Sequence, residues 1–357
     1  MADAAKGRGA RTNATGRYET NAIEAFDDGW TPEDATPPPL RTTLTAERAR
    51  VLITKNTSPD VGFDRSINPY KGCEHGCIYC YARPSHAWMG LSPGLDFESR
   101  IFFKPEAARL LEQELSARRY VCKRIHIGGN TDPYQPVERE QKITRGILEV
   151  MQRFKQPLSI ITKSGLITRD LDILGPMGRE GLATAFVSIT TLDRGLARAM
   201  EPRASTPARR LEAIRALADA GVPVGVGVAP VIPGLNDHEM ESILEAAAKA
   251  GATTAMYVTL RLPLEIKDLF REWLADARPD RAARVMSLIR QTRGGRDYDP
   301  DWSQRMKGTG PVADLIAARF KAAIKRYGLN RPRHELDVTK FAVPAGVRGQ
   351  MDLFTVT

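Results

Sequence analysis

The chain has 357 residues, of which 42% are hydrophobic and 27% charged, values typical of a soluble globular protein with one large domain or two ordinary ones. No apolar run approaches the roughly 20 residues of a membrane-spanning helix, and the N-terminus lacks the apolar stretch of a secretory signal, so we expect a cytoplasmic protein without a membrane segment. The formal net charge of +9 fits a nucleic-acid partner, and it equally fits arginines spread along solvated helices.

The first 45 residues show no hydrophobic periodicity. They are rich in Gly, Arg, Asn, Thr and Pro and include a proline run at 37–39, a composition typical of disordered segments. We therefore predict a flexible, disordered N-terminal arm over 1–45. Short strands are predicted next, over 48–55 and 66–72.

Three of the four cysteines lie in one loop after the second predicted strand, spaced CxxxCxxC. Three thiolates on one loop can hold three corners of an iron–sulfur cluster and leave one iron open to another ligand. A zinc site would need a fourth protein ligand, which His75 or His86 could supply. A disulfide is disfavoured, because three neighbouring cysteines leave one unpaired. The spacing favours a cluster but leaves zinc as an alternative.

Beyond the cysteine loop, short apolar segments alternate with amphipathic ones. Helices are predicted over 105–118, 139–154, 168–176, 192–199, 207–220, 237–250, 264–276 and 280–291. Asn236 or Asp237 could cap the helix over 237–250. Further strands are predicted over 124–128, 158–162, 183–189, 222–228 and 254–259.

Strands that are apolar throughout and alternate with helices form a parallel sheet that helices cover. With the strand before the cysteines there are six βα units, too few for a closed eight-stranded barrel. The sequence therefore predicts an α/β fold, an open partial (β/α)6 TIM-type barrel over 46–292. Functional groups of such folds lie on loops after the C-terminal strand ends, where the cysteine loop also falls.

The βα alternation stops near residue 292. Residues 294–310 have the composition of loops, and a helix is predicted over 311–327. We expect 293–357 to form a C-terminal helical extension that packs on the barrel.

The cysteine motif, with Tyr79 directly before its last cysteine, resembles the cluster motif of the radical S-adenosylmethionine (SAM) superfamily, and the resemblance covers about 66–262. It implies that Cys73, Cys77 and Cys80 hold a [4Fe–4S] cluster whose open iron binds SAM. It further implies that one electron cleaves SAM to methionine and a 5′-deoxyadenosyl radical. An electron donor such as flavodoxin or ferredoxin is then required, and we expect a monomer.

The resemblance also implies SAM contacts for residues that follow the later strands. A glycine-rich segment would meet the SAM amino group, because glycine lets backbone approach a ligand closely. A lysine and a serine would meet the SAM carboxylate, and later residues would meet its ribose and adenine. The predicted cofactor-binding residues are Tyr79, Gly128, Gly129, Asn130, Thr131, Asp132, Lys163, Ser164, Ser188, Thr190, Glu201, Arg203, Val228 and Pro230. The alternatives are that the glycine-rich segment is a plain turn, that Lys163 is solvated and that Glu201 belongs to a structural ion pair.

Within the superfamily, three segments are similar to the spore photoproduct lyase-related group: the motif Cys-x-Tyr-Cys-Tyr, residues 130–138 and residues 162–164. That group includes a DNA repair enzyme in which a lone cysteine, just ahead of a Ser-Asp pair, donates a hydrogen atom. If Thr131 and Asp132 match that pair, the donor position falls near Gly129, which is no cysteine.

The remaining cysteine, Cys122, lies upstream of the corresponding strand and is predicted to be a buried small side chain. Tyr79 and Tyr134 are therefore predicted as catalytic radical relays, with Tyr81 as a further candidate.

The first functional hypothesis is a radical SAM enzyme that acts on nucleic acid in DNA repair or modification. The positive charge supports it, as do four aromatic residues that could stack a base, namely Tyr81, Trp88, Tyr134 and Trp302. The second hypothesis keeps this chemistry and assigns it to a peptide or a small metabolite. The third is a non-enzymatic metal-binding protein that binds a partner.

Overall fold

The structure is a computed structural model that describes residues 7–19, 40–332 and 334–345. Within these ranges the strands are β1 (Thr43–Ala46), β2 (Thr54–Lys55), β3 (Arg65–Ile67), β4 (Tyr70–Lys71), β5 (Arg100–Phe103), β6 (Ile125–Ile127), β7 (Leu158–Thr162), β8 (Ala183–Ser188), β9 (Val224–Val231) and β10 (Thr254–Thr259). The α-helices are α1 (Leu95–Ser99), α2 (Ala107–Ser116), α3 (Glu138–Gln141), α4 (Ile143–Arg153), α5 (Leu171–Arg179), α6 (Arg194–Met200), α7 (Pro207–Asp219), α8 (Met240–Lys249), α9 (Ile266–Ala277), α10 (Ala282–Gln291) and α11 (Pro311–Arg326). None of these helices is both long and apolar enough to cross a membrane.

Six strands form one parallel sheet, and their order across the sheet is the same as their order along the chain. The order across the sheet is β10-β9-β8-β7-β6-β3-β2, and β2 runs antiparallel to β3 at the edge. Parallel neighbours require long crossover connections, which the helices provide. In the described part of the chain β3 does not pair with β10, so the barrel is open on one side. The predicted α/β partial barrel of six βα units is confirmed.

The main core lies between the sheet and the helices on its outer face. Ile125 and Ile127 of β6 are fully buried against these helices, and His126 between them faces the opposite side of the sheet. Leu111 of α2 and Leu148 of α4 are also fully buried. Each such side chain stabilises the fold by about 1.5–3 kcal/mol. This packing holds the strand ends in fixed positions around the barrel.

Two predicted strands differ from the observed ones. The prediction over 48–55 reduces to β2, because the N–H groups of Leu52 and Ile53 donate to the carboxylate of Glu114, at 2.5 and 3.1 Å, instead of to a strand. The prediction over 66–72 divides at Pro69 into β3 and β4, since proline has no N–H for a sheet ladder. β4 joins a separate small sheet, in the order β1-β5-β4, that the sequence did not predict.

The predicted flexible arm contains residues that pack on the barrel. β1 pairs in parallel with β5, and residues 7–13 contact the cysteine loop. The rest of the predicted arm, 1–6 and 20–39, lies outside the described residues.

The residues after α10 contact several parts of the barrel. α11 packs beside α8, and its Arg319 bonds to Glu241 of that helix at 2.7 Å. Further on, the ring of Phe341 lies 5.3 Å from that of Tyr120, and the N–H of Ala342 donates to the carbonyl of Phe154. Residues 346–357 lie outside the described ranges.

Candidate active site

The cysteine loop follows β4 and needs glycine at two sharp turns. Gly72 and Gly76 have φ angles of +79° and +68°, in the left-handed region that favours glycine. A Cβ atom on Gly76 would also lie 2.6 Å from Oε2 of Glu98. The N–H of Cys73 donates to the carbonyl of Phe97 at 2.9 Å. The loop is therefore fixed both by its own turns and by contact with α1.

A buried ion pair supports this loop from below. Arg83 and Glu98 have no exposed surface, and their closest side-chain atoms are 2.5 Å apart. Arg83 also donates to the carbonyl of Cys77 at 2.9 Å and to that of Gly76 at 3.2 Å. Its remaining N–H group bonds to backbone carbonyls just before α1. The guanidinium thus holds the backbone between two of the cysteines.

Residues 7–13, which we call the N-terminal strap, complete the same network. The N–H groups of Gly9 and Ala10 each donate to Glu98 at 2.8 Å, and Arg8 donates to the backbone carbonyl of Glu98 at 2.6 Å. A Cβ atom at Gly9 would overlap the carbonyl oxygen of Gly76. The strap therefore lies directly against the cysteine loop.

The three cysteines fit a cluster better than a zinc ion. All are free thiols, Cys73 and Cys77 buried and Cys80 partly exposed. His75 Nδ1 lies 3.3 Å from Asp132 and His86 Nε2 lies 3.0 Å from the carbonyl of Arg100, while Nδ1 of His86 is buried without a hydrogen-bond partner in the described residues. Among the described residues, no three His, Cys, Asp or Glu side chains are grouped as ligands of a metal ion would be.

Burial raises the pKa of each loop cysteine, that of Cys77 to about 12. Iron carries positive charge and would offset this by stabilising the thiolates. Three cysteines without a fourth protein ligand match a cluster with one open iron.

A second buried network joins the cysteine loop to the end of β8. Glu201 pairs with Arg210, and it accepts hydrogen bonds from the hydroxyls of Tyr79 and, at 2.5 Å, Thr190. Burial would raise the pKa of Glu201, but the charges of Arg210 and Lys163 outweigh it and lower that pKa from its ordinary 4.5 to about 2. Both carboxylate oxygens are occupied, so Glu201 is a structural ion pair that orients Tyr79.

The ammonium of Lys163, at the end of β7, differs from these paired groups. It lies 5.8 Å from the centre of the Tyr79 ring and has no hydrogen-bond or ion-pair partner in the described part of the chain. Burial lowers its pKa, but the neighbouring Cys77 and Glu201 outweigh burial and raise it. A charged, half-buried group without a partner is available to an anionic ligand.

Asp132 holds two strand ends and the cysteine loop together. Its carboxylate accepts from Thr162 at 2.6 Å, from the N–H of Lys163 at 2.7 Å and from the N–H of Tyr134 at 2.9 Å, and it pairs with His75. Burial would raise the pKa of Asp132, but His75 and these hydrogen bonds lower it to about 2. These donors occupy the carboxylate and disfavour the predicted contact with the SAM ammonium.

The other residues of the predicted glycine-rich segment form a tight turn after β6. Gly128 has a φ of +93°, and a Cβ atom there would lie 2.6 Å from the carbonyl oxygen of Ile161. The carbonyl of Gly129 accepts from the Tyr81 hydroxyl. The N–H of Asn130 donates to the side chain of Asn68 and the hydroxyl of Thr131 to the carbonyl of Tyr70, so the segment around β4 fixes the turn.

Two further predicted residues have local structural roles. Ser164 accepts from the N–H of Leu166 and caps the 3-10 helix Gly165–Asp170. Arg203 bonds to Glu74 at 3.0 Å and donates its N–H to the carbonyl of His75. Ser188, by contrast, is buried at the end of β8, where it pairs with Gly227 and its carbonyl accepts from Arg210; its hydroxyl has no hydrogen-bond partner among the described residues.

The end of β9 carries the predicted Val228 and Pro230. The Ala229–Pro230 peptide is cis. Asn236 accepts from the N–H of Ile232 at 2.6 Å and donates to the carbonyl of Pro230 at 3.0 Å and to that of Thr190 at 2.7 Å. Asn236 therefore ties the β9 loop to the β8 loop, and the predicted helix cap by this side chain is wrong.

Tyr134 is enclosed by the core in the loop after β6, and Cys122 lies at the opposite end of that strand. Tyr134 has no exposed surface, and its hydroxyl donates to Asp170 at 3.0 Å inside the core. This burial removes Tyr134 from the residues that could stack a base and disfavours its predicted catalytic role. Cys122 precedes β6, at the sheet edge opposite the cysteine loop, and its Sγ lies 3.6 Å from Gln156.

The open side of the barrel carries exposed aromatic rings beside arginines. Tyr81 is 46% exposed with the guanidinium of Arg261 5.1 Å from its ring centre, and Trp302 is 49% exposed beside Arg305. Arg305 forms a two-point ion pair with Asp60. We call Tyr81, Arg261, Trp302 and Arg305 the mouth.

The fourth predicted aromatic, Trp88, lies outside the mouth. It is 73% exposed and packs on Tyr18, their ring centres 4.7 Å apart.

Sequence reasoning missed four residues that organise the site. They share full or nearly full burial and a polar side chain: Arg83, Glu98 and Arg210 are not identified from the sequence at all, and Asn236 is assigned to a helix cap instead of to the link between two loops. No local pattern marks them, because their partners lie on other elements.

Comparison with known proteins agrees with this arrangement. The family model of the radical SAM superfamily matches residues 67–247. An uncharacterized protein of Mycobacterium tuberculosis (strain H37Rv) is 34% identical over 257 residues, which cover 71% of this chain and 74% of that protein. An uncharacterized protein of Methanocaldococcus jannaschii is 28% identical over 173 residues, 48% of this chain and 62% of that protein.

Solved structures of spore photoproduct lyase variants are similar in fold. One gives a TM-score of 0.53 at 17% identity and covers 80% of each chain. A second, with bound AdoMet (SAM) and dinucleoside spore photoproduct, gives 0.50 at 18% identity over 80% of this chain and 78% of that one.

The buried pair below the cysteine loop gives a first prediction. Glu98→Ala leaves the charge of Arg83 buried and unpaired, which we expect to lower the free energy of unfolding by about 3–5 kcal/mol. The iron bound after anaerobic reconstitution should fall several-fold. Urea denaturation and iron analysis measure both, with Glu106→Ala on the surface as control. Normal iron content and stability in both Glu98→Ala and Glu98→Gln would show that the pair does not support the loop.

The lowered pKa of Glu201 gives a second prediction. Its folded pKa lies below its ordinary value, so its stabilising contribution is complete above about pH 4.5 and is lost as the pH falls through about 2. That contribution is on the order of 3 kcal/mol. Urea unfolding of the metal-free protein from pH 7 to pH 2.5 should show a shallower decline for Glu201→Gln than for the unmodified chain. Equal declines would contradict the role of this carboxylate.

Proposed function

The chain belongs to the radical SAM superfamily, and from this premise we propose that Cys73, Cys77 and Cys80 hold a [4Fe–4S] cluster used in an enzymatic reaction with SAM. When bound, the cluster supplies the single electron that divides SAM into methionine and a 5′-deoxyadenosyl radical. The observation that carries the proposal is the three-cysteine loop at the C-terminal edge of the parallel sheet, held by a buried ion pair and without a fourth ligand.

The groups without partners around this loop support a SAM site. Lys163 presents an ammonium near Cys77 and would bind the SAM carboxylate by charge. The Ser188 hydroxyl, at the end of the neighbouring strand, would bind a ribose hydroxyl. Tyr79 is held by Glu201 and Thr190, so its ring would form a fixed wall of the site.

The glycine turn and the β9 loop would form two further sides of the SAM site. Gly128 and Gly129 would present their backbone to the SAM amino end, and their missing side chains let this turn pack against Ile161 and Phe63. Asn236 fixes Val228 and Pro230, whose backbone would lie along the adenine.

We propose nucleic acid as the substrate, in a repair or modification reaction. The chain is basic, with a net charge of +9, and arginines stand beside the exposed rings of Tyr81 and Trp302 at the mouth. The likeness in fold to spore photoproduct lyase, one structure of which binds a dinucleoside lesion, supports the same substrate class. A peptide or small-metabolite substrate is the alternative, and binding experiments separate the two.

The hydrogen donor proposed here differs from the cysteine of the DNA repair enzyme. Cys122 lies at the wrong edge of the sheet to serve as that donor. Tyr81 follows Cys80 directly and is partly exposed at the mouth, so a tyrosine relay through it is the proposal that the geometry supports.

An electron donor must also reach the site, and flavodoxin or ferredoxin is the class of protein that we propose. Cys80 is the least buried of the three cysteines, so electron entry is expected on its side. Four free cysteines fit a reducing compartment, and we propose the cytoplasm.

A third prediction tests SAM cleavage with a matched pair of cysteine variants. Under anaerobic conditions with dithionite, the reconstituted protein should convert SAM to 5′-deoxyadenosine, detected by chromatography. Cys77→Ala removes one cluster corner and should abolish both the iron–sulfur absorbance and this product. Cys122→Ala, which lies at the opposite edge of the sheet, should retain both. A protein that forms a cluster but no 5′-deoxyadenosine would sink the enzymatic proposal.

A fourth prediction concerns the substrate class. If phosphates bind the basic surface, the affinity for single- and double-stranded DNA should fall steeply with salt, because bound counterions are released. Gel-shift titrations of the reconstituted protein at several salt concentrations measure this slope. Binding that is absent at low salt, or that does not change with salt, would favour the peptide or small-metabolite alternative.

A further inference from the structure

Arg261 differs from Arg305, the other arginine of the mouth, because it forms no ion pair in the described residues; Asp60, the partner of Arg305, acts on it only from a longer distance. It stands two residues after β10, half-buried, and its Nε is buried without a hydrogen-bond partner. The Nη1 atom of Arg261 lies 3.6 Å from the sulfur of Met306. No carboxylate of the described residues lies within ion-pair distance of it.

Of the neighbouring arginines, Arg305 is paired with a carboxylate, and Arg293 is enclosed in the protein although its Nε also has no hydrogen-bond partner in the described residues. The accessible unpaired charge is therefore that of Arg261, which is only half-buried. Arg305 is paired with Asp60 through two contacts. Arg293 is almost fully buried and donates to the carbonyls of Thr259 and Leu260, close to Arg261. Arg261 therefore lies close to a second buried cation, Arg293, and binding an anion is more favourable for it than remaining unpaired.

The surroundings of Arg261 indicate which anion fits. The guanidinium lies 5.1 Å from the centre of the Tyr81 ring, which is 46% exposed and directly follows the last cysteine of the loop. A guanidinium presents a planar fork that matches phosphate oxygens, and an exposed aromatic ring binds the face of a nucleobase. Charge and ring together match one nucleotide unit.

We propose that Arg261 forms a phosphate subsite for a nucleic-acid substrate, in which Arg261 binds a backbone phosphate and Tyr81 stacks on the adjoining base. This subsite rests on the proposed function, and it names the contact that brings the substrate next to the cysteine loop. The Asp60–Arg305 ion pair lies at the same mouth and joins the loop before β3 to the region after β10. The pair keeps Arg305 neutralised, so that the phosphate binds at Arg261.

A fluorescent single-stranded oligonucleotide tests the subsite with the reconstituted full chain. Arg261→Ala should weaken binding about tenfold, the loss of one charge-assisted contact. It should also reduce the slope of log affinity against log salt by about 0.7, the value for one phosphate on a single strand. Arg261→Lys keeps the charge and should retain the slope with intermediate affinity.

The control is Arg215→Ala on α7, an exposed arginine whose removal changes the net charge equally. It should leave affinity and slope close to those of the unmodified chain. A probe with an uncharged methylphosphonate backbone should bind Arg261→Ala and the unmodified chain alike. Melting temperatures confirm that the variants fold.

The outcomes separate the subsite from the proposed function. Equal binding by Arg261→Ala and Arg215→Ala would overturn the subsite. It would also be overturned if Arg261→Ala weakened binding of the uncharged probe as much as binding of the charged one. Displacement of the oligonucleotide by an acidic peptide, dependent on Arg261, would assign the site to a peptide instead. Failure of the unmodified chain to produce 5′-deoxyadenosine would overturn the enzymatic proposal, and the binding results would still decide the phosphate subsite.

Discussion

The buried ion pair of Arg83 and Glu98 is the interaction on which the candidate active site depends. Removing two charges from water is unfavourable unless each donor and acceptor finds a partner. Here the guanidinium bonds to backbone carbonyls of the cysteine loop and the carboxylate accepts backbone N–H groups of the N-terminal strap. Backbone hydrogen bonds from Gly76 to Cys73 and from Cys80 to Cys77 close the turns of the cysteine loop, and the ion pair holds the loop against α1 and the strap.

The same arrangement recurs at the other strand ends. Arg210 neutralises Glu201, and Asp132 is surrounded by donors from three elements. Because nearly every polar group near the cysteines is satisfied within the protein, those that are not become informative. Lys163 and Arg261 each keep a charge without a partner in the described residues, one beside the cysteines and one at the mouth. The folded chain thus distinguishes the groups that build the site from those that remain for ligands.

The barrel and the metal-binding loop could be predicted from the sequence, and the supporting network could not. Strand predictions over 158–162 and 254–259 agree with β7 and β10 residue for residue, because buried parallel strands are apolar throughout. Glu98 resembles any glutamate of a short helix, and Gly9 lies in a segment with the composition of a disordered arm. Whether a charge is buried depends on partners that are distant in sequence, so no local pattern reveals it. Tyr134 is the opposite case, because the sequence predicted a catalytic role for it and the structure encloses it in the core.

The close contact between Gly9 and Gly76 has a consequence for classifying related proteins. A side chain on Gly9 would meet the carbonyl of Gly76, and one on Gly76 would meet the carboxylate of Glu98, so each glycine is required wherever the strap lies on the cysteine loop. The family model begins at residue 67 and includes only Gly76. Relatives that share the barrel can therefore be divided by whether a glycine precedes the barrel at a suitable distance. Those that lack it must cover the cysteine loop with different backbone, and they would form a separate subgroup.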